Sequence, residues 1–285
     1  MAKQPPVYTK RNWLRRLEKG WSRLEGFVNR VSTANELVRP YNPLYHLGTL
    51  AIFLLIVITV TGIYLTLLYR PGTDRAFLSV AAISDGWFGS LIRSIHRYAS
   101  NGLILVTLLH ALKTWLSDRF WGTRWLAWIS GWVMLALFWI IGLMGYWLVW
   151  DQTAQWLTEY TINILKGTLA ISFLGANIAS GTFALFVIIL FLHVFVPILL
   201  VLGIIIHVLR LARANYWAPR WMMGISLAAL VILALARPFP VALPADLSRL
   251  VTNVKLDWLF MGFLPLAERL GNPVFWIGSV LLLAA

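Results

Sequence analysis

Four of the chain's five histidines fall into two pairs of identical spacing, His96 with His110 and His193 with His207, each pair inside a segment apolar enough to cross a membrane. Fourteen residues are close to four helical turns, so both imidazoles of a pair project from nearly one face, roughly 21 Å apart along the axis. Two helices carrying that pattern side by side build two bis-histidine sites stacked across a bilayer. A single histidine on an apolar helix is ordinarily a satisfied packing residue. Four at a duplicated spacing, each where a polar group is costly, point to ligands.

Composition places the chain in a membrane. Hydrophobic residues make up 60%, charged residues 12% and the mean hydropathy is +0.76, values foreign to a soluble domain of 285 residues. Spans are expected at about 47–68, 90–113, 126–149, 183–209 and 221–236. A sixth begins near Val274 and reaches Ala285 after only a dozen residues, which reads as a truncated span or one that a partner completes.

The net charge of +13 is not gathered into a nucleic-acid-reading surface. Residues 1–44 hold nine Lys or Arg against three Glu, the loop from Lys113 to Arg124 holds three positives against Asp118, and Arg210, Arg213 and Arg220 follow the fourth span. These stretches share one side if the spans alternate, and the positive-inside rule makes that side cytoplasmic. Loops 69–89, 150–182 and 237–272 then lie outside. No apolar run in the first 40 residues reads as a cleavable signal.

The amino-terminal stretch has its own pattern. Trp13, Leu14, Leu17, Trp21, Leu24, Phe27, Val28 and Val31 recur at three- and four-residue steps, with Arg15, Arg16, Lys19, Arg23 and Arg30 on other faces. That is a basic amphipathic helix for the inner membrane surface, or for packing on another subunit.

The chain has no cysteine, which excludes disulfides, cysteine-held iron–sulfur clusters and thioether-linked haem within it. Zinc or copper asks for ligands converging on one point, often completed by carboxylate or thiolate. Two imidazoles per level, with no acid nearby on either histidine helix, instead suit the two axial positions of a haem iron. The second and fourth spans run in the same direction, so His96 is level with His193 near the outer side and His110 with His207 near the inner side. Such sites between facing helices are ordinary in bundles.

The intervening helices repeat the period: Gly48 and Gly62 in the first span, Gly131 and Gly145 in the third, are also 14 residues apart. Glycine admits a flat macrocycle closely, although small residues also serve plain helix packing. Lys113 and Arg210 each follow an inner histidine by three, and Arg93 and Arg97 flank His96. These cations can neutralise haem propionates, or snorkel to the interface. Pro197, four residues after His193, is expected to kink the fourth span.

On these residues the chain resembles cytochrome b, the haem-carrying subunit of bc-type and bf-type quinol oxidoreductases. Over about residues 41–270, the segment GSLIRSIHRYAS (89–100), the spacing to His110, YRP at 69–71 and GYWLVWDQ at 145–152 are similar to the plastoquinol-oxidising branch. The second pair, at 14, resembles bc-type and many bacterial proteins instead. Where the photosynthetic branch has a cysteine fixing an additional haem, this chain has His46. Where the family usually reads Leu-Pro-Trp, it has Leu148, Val149 and Trp150. The Pro-Glu-Trp-Tyr motif of the outer quinol site is reduced to Leu256, Asp257, Trp258 and Leu259, without the tyrosine hydroxyl.

The expected fold is an all-α, polytopic transmembrane bundle: a basic amphipathic segment (1–44), a four-helix diheme core (45–215) and a C-terminal transmembrane region (216–285). The resemblance implies two non-covalent b-type haems, with iron bound by His96, His193, His110 and His207, and quinone or quinol as substrate. It implies a multisubunit complex, compatible with a dimer, in which one electron leaves to a Rieske iron–sulfur protein or c-type cytochrome and the other crosses the membrane. Asp257 is the candidate proton acceptor, against a role as helix cap or partner of Lys255. A non-bifurcating diheme anchor of another respiratory complex, and a secondary transporter using histidines as a proton relay, are the competing readings. The expected location is a prokaryotic cytoplasmic membrane, with the N-terminus cytoplasmic and lipid rather than nucleic acid as the surrounding partner.

Overall fold

A computed structural model describes residues 17–24, 26–27, 42–116, 120, 122–165, 183–209 and 216–249, with scattered positions from 251 to 269. Its elements are α1 (Leu47–Leu68), α2 (Ala76–Asp85), α3 (Trp87–Leu116), α4 (Trp125–Val149), α5 (Gln152–Leu165), α6 (Phe183–Leu209) and α7 (Arg220–Ala236), with 3-10 turns at Pro43–Tyr45 and Gly122–Arg124. No strand occurs among the described residues; one isolated antiparallel bridge joins Asp151 and Pro244. The expected sixth span and Arg210 lie outside the described residues. Within the amino-terminal segment, residues 17–24, 26 and 27 are helical, with Leu17, Leu24 and Phe27 exposed.

Local chemistry sets the boundaries. Asn42 is fully buried and its Oδ1 accepts the Leu44 N–H at 3.0 Å, closing the turn that leads into α1. Gly89 lets α3 start against the end of α2, because a Cβ there would overlap the Ile83 carbonyl. Trp150 stops α4 in the left-handed region at φ 54°, an unfavourable place for a bulky residue, and its buried ring is held edge-on to Phe186 at 5.1 Å. Pro219 precedes α7, where its missing N–H costs nothing. Pro197 lies inside α6, one turn beyond His193.

Among the described residues, three helices are long and apolar enough to cross a membrane: Leu47–Leu68, Gly122–Val149 and Phe186–Leu209. The protein is an integral membrane protein. At 30 residues, or about 45 Å, α3 has ample length. Its arginines, histidines and lysine lower its hydropathy, and they turn toward neighbouring elements. At 17 residues, α7 is apolar but short. Two helices sit where the sequence reading has only outer loops, α2 within 69–89 and α5 within 150–182.

Packing is pairwise. α1 lies along α3 and α4 along α6, with α3 also touching α4 and α7. One apolar cluster joins them, including Leu54, Ala99, Leu103, Phe138, Ile141 and Leu200, with Phe260 and Met261 capping it. Outward residues such as Ile198, Leu202 and Ile232 are exposed, as a lipid-facing surface requires.

Candidate haem-binding site

The four histidines come from the two helices the spacing marks, His96 and His110 from α3, His193 and His207 from α6. His96 and His193 face one another across the bundle with ring centroids 6.4 Å apart and planes inclined by 50°. Metal–imidazole bonds of about 2.0–2.1 Å on each side, plus the depth of each ring, span roughly that distance. His110 and His207 hold the corresponding places 14 residues further along α3 and α6.

Each ring rests on a glycine. A Cβ added at Gly62 would stand 3.1 Å from His96 Cε1, at Gly48 3.2 Å from His110, at Gly145 3.3 Å from His193 and at Gly131 3.4 Å from His207. The glycine period thus matches the histidine period, each glycine making room for one imidazole. Three rings are further held by the backbone: His96 Nδ1 meets the Ile58 carbonyl at 3.1 Å and Thr61 Oγ1 at 3.0 Å, and His193 Nδ1 meets the Ile141 carbonyl at 3.0 Å. His207 Nδ1 meets Ser130 Oγ at 3.0 Å and the Ala127 carbonyl. A histidine that donates through Nδ1 keeps the Nε2 lone pair for a metal.

The donor set fits a haem: the four imidazoles stand in pairs, and two nitrogen donors per level are what a b-type haem would take from the protein. Arg93 Nε and Arg97 Nε are buried beside the outer pair without hydrogen-bond partners, donors waiting for acceptors of the kind carboxylates supply.

The outer level continues into a polar cluster. Arg97 donates to Tyr146 Oη and to Asp257 Oδ2, and its guanidinium lies 4.4 Å from the Tyr146 ring centre and 5.0 Å from that of Phe260. Asp257 Oδ1 accepts the N–H groups of Leu259 at 2.8 Å and Phe260 at 3.1 Å. The carboxylate thus caps the next turn and pairs with Arg97, a partner 160 positions away, where the sequence reading offers Lys255. Phe260 packs onto Gly142, whose missing side chain makes its place. Arg93 donates to the Phe239 carbonyl, and Ser94 Oγ accepts the Phe239 N–H at 2.9 Å. At the inner level, Lys113 Nζ donates to the Leu44 carbonyl at 2.6 Å and sits 4.3 Å over the Tyr45 ring.

Sequence reasoning passes over Tyr146, Gly142, Asp151 and Gln155. Asp151 Oδ1 caps α5 through the Ala154 N–H at 3.0 Å, and burial pushes its carboxyl pKa up. Gln155, 1% exposed, binds the backbone of the loop that follows α7: Nε2 donates to the carbonyls of Asp246 at 2.9 Å and Arg249 at 2.7 Å, and Oε1 accepts the Asp246 N–H at 2.8 Å. Tyr146 and Asp151 stand in the motif GYWLVWDQ; Gln155 has no such signal.

The family described as cytochrome b/b6/petB matches residues 34–215, more than half of the chain and all four histidines. The chain belongs to the cytochrome b family. Cytochrome b6 of Prochlorococcus marinus (strain MIT 9303) is 30% identical over 230 residues, covering 77% of this chain and all of that protein. Cytochrome b6 of Porphyra purpurea is 31% identical over 196 residues, covering 65% and 90%. Among solved structures, a chain of a hyperthermophilic respiratory complex III shares the fold, with a TM-score of 0.69, 19% identity, and coverage of 85% of this chain and 73% of that one. Membership brings b-type haem and electron transport. It also answers the transporter reading, since a cytochrome b is a redox protein.

A thioether link to haem needs a cysteine, and the chain has none. Acidified acetone is therefore expected to extract all haem from the isolated polypeptide; haem staining of this chain after denaturing electrophoresis would contradict that.

Proposed function

We propose that this cytochrome b binds two haems and serves as the electron-carrying subunit of a quinol oxidoreductase complex. The observation that supports it best is the duplicated site, in which all four histidines sit against glycines spaced to match them. His96 with His193, and His110 with His207, would be the axial ligands. When bound, the haems supply one-electron redox chemistry across a low-dielectric path.

The residues of the chain do the rest. Carbonyls of Ile58, Ile141 and Ala127 hold three of the rings, and donation to them through Nδ1 would leave Nε2 for a metal. Arg93 and Arg97 place buried positive charge beside the outer level, and Lys113 does so beside the inner one. The apolar cluster around Leu103, Phe138 and Leu200 keeps water from the space between the levels. Asp257 is proposed to accept a quinol proton at Oδ2, the oxygen that Arg97 now holds. Partner subunits of the Rieske or c-type kind, and a prokaryotic cytoplasmic membrane as the location, belong to the same reading. The test is to purify the complex, add a reduced quinol and follow haem absorption: reduction of two spectrally distinct haems supports the proposal, and a chain whose haems ignore quinol refutes it.

A second reading keeps the haems and removes quinol bifurcation, making the protein an anchor in another respiratory complex. The specific observation in its favour is Leu259, which puts an apolar side chain where the outer motif has a hydroxyl. Asp257→Asn separates the two. An amide still caps Leu259 and Phe260 but accepts no proton, so quinol-driven haem reduction is expected to slow by about 10²–10⁴-fold at unchanged haem content. An unchanged rate would leave Asp257 a cap and ion-pair partner and favour the anchor.

The orientation is tested on the same chain. Because it lacks cysteine, Thr123→Cys and Ser248→Cys each introduce one thiol at an exposed position. Basic loops inside predict that Thr123→Cys labels from the cytoplasmic face and Ser248→Cys from the outer face. Labelling of both from one side would overturn the topology.

A further inference from the structure

Three of the four histidines are held alike and the fourth differs. The carbonyls that accept from His96, His193 and His207 belong to Ile58, Ile141 and Ala127, each four residues before the glycine under its ring, namely Gly62, Gly145 and Gly131. The same register puts Leu44 four residues before Gly48, the glycine under His110. That carbonyl is taken by Lys113 Nζ at 2.6 Å, and no hydrogen bond from the His110 ring is found among the described residues. Lys113 lies three positions along α3 from His110, on the same side of the helix.

The exception has a structural cause. Ile58, Ile141 and Ala127 lie inside α1 or α4, so each carbonyl is in the helical ladder and takes the histidine as a second donor. Leu44 lies in the 3-10 turn before α1, where Asn42 and Pro43 supply the carbonyls that accept from Tyr45 and His46. Its carbonyl stands outside the ladder and is open to a strong donor. An ammonium makes a stronger bond to it than a neutral imidazole N–H, and the Tyr45 ring beneath helps to hold Lys113 there.

We propose that Lys113 and His110 compete for the Leu44 carbonyl, so that Lys113 is a positioning residue that sets how strongly the inner ligand is hydrogen-bonded. The inference rests on the axial role proposed for His110. A ligating imidazole that donates to a carbonyl becomes a more basic ligand and favours the ferric state; one kept from its carbonyl favours the ferrous state. Of the two sites, the inner one therefore carries an adjustable ligand on its α3 side, and the outer one has both ligands fixed by the backbone.

The test uses the full complex purified from membranes with Lys113→Met or Lys113→Arg in this chain. Haem is counted first with pyridine haemochrome: a wild-type chain with fewer than two haems fails the underlying reading, whatever the Lys113 variants do. With the ammonium gone, Leu44 passes to His110 and ferric affinity is expected to rise about tenfold over ferrous, which lowers the inner midpoint potential by about 59 mV for a one-electron couple and leaves the outer one in place. Pulsed EPR of the inner ferric ligand should show the Nδ1 coupling change to that of a hydrogen-bonded imidazole, a signature that loss of a nearby charge does not produce. Lys113→Arg, which keeps a cationic donor on the carbonyl, should match the wild type in both readouts. An inner potential that stays in place in Lys113→Met, or one that shifts with an unaltered Nδ1 coupling, overturns the proposal. If Lys113→Met fails to assemble, Lys113→Gln, with a shorter and uncharged side chain, carries the same comparison.

Discussion

His110→Leu is expected to lower the haem content from two per chain to one, with the surviving haem being the outer. Leucine fills the space of the imidazole but offers no lone pair, so on the proposed ligation an inner haem would lose one of its two protein ligands while His96 and His193 would still hold the outer one. Fourteen residues separate the two levels on each helix, far enough for one to survive the loss of the other. The same outcome is expected for His207→Leu, and the reverse for His96→Leu and His193→Leu. Pyridine haemochrome quantitation, with low-temperature spectra to tell the haems apart, reads the result. If each variant in turn retained two haems, or the wild type held one, the duplicated site would be refuted.

Gly145→Leu should be nearly as damaging, although the glycine bonds to nothing. A Cβ there already comes within 3.3 Å of His193 Cε1, and the three carbons beyond it would have to occupy the volume of the ring. The ring is tied by Nδ1 to the Ile141 carbonyl on the same helix, so it cannot move aside without breaking that bond. Overpacking of a filled core costs about 1–3 kcal/mol, and here the strain would fall on the proposed ligand His193, so loss of the outer haem is the expected result. Gly145→Ala, needing a shift of a few tenths of an ångström, should retain it with a perturbed spectrum. A Cβ at Gly224 would meet nothing within 4 Å, so Gly224→Leu is the control and should leave both haems in place. Equal haem content in Gly145→Leu and the control would show that the glycine period has another purpose.

How far these sites can be read from the sequence depends on the kind of contact involved. The runs that form α1, α4 and α6 are bounded by abrupt changes in hydropathy, and the expected limits of the first, 47–68, coincide with Leu47–Leu68. α2 and α5 escape because a short helix at a membrane surface, or one pinned by loop contacts, has no long apolar run to announce it. The histidine and glycine periods are visible because spacing along a helix is spacing in space. Their mutual arrangement is not: a ring packing on bare backbone and a carbonyl accepting from Nδ1 use main-chain groups, which every residue carries and no letter marks. Asp257 shows the limit most clearly. Its nearest cation in the sequence is Lys255, but the bundle brings Arg97 to it from α3, and only the packing of α3 against the loop that follows α7 decides between them.

The grip of Gln155 on the loop that follows α7 has an evolutionary side. Its amide holds the carbonyls of Asp246 and Arg249 and the N–H of Asp246, and ignores the side chains at both positions. As far as this grip is concerned, residues 246 and 249 are therefore at liberty to drift, with proline at 246 the exception because it has no N–H to give. The side chains at both positions can change while the loop stays anchored, because Gln155 and the main-chain bonds of Gln152 to Leu243 and of Ala245 to Trp150 all hold it by its backbone.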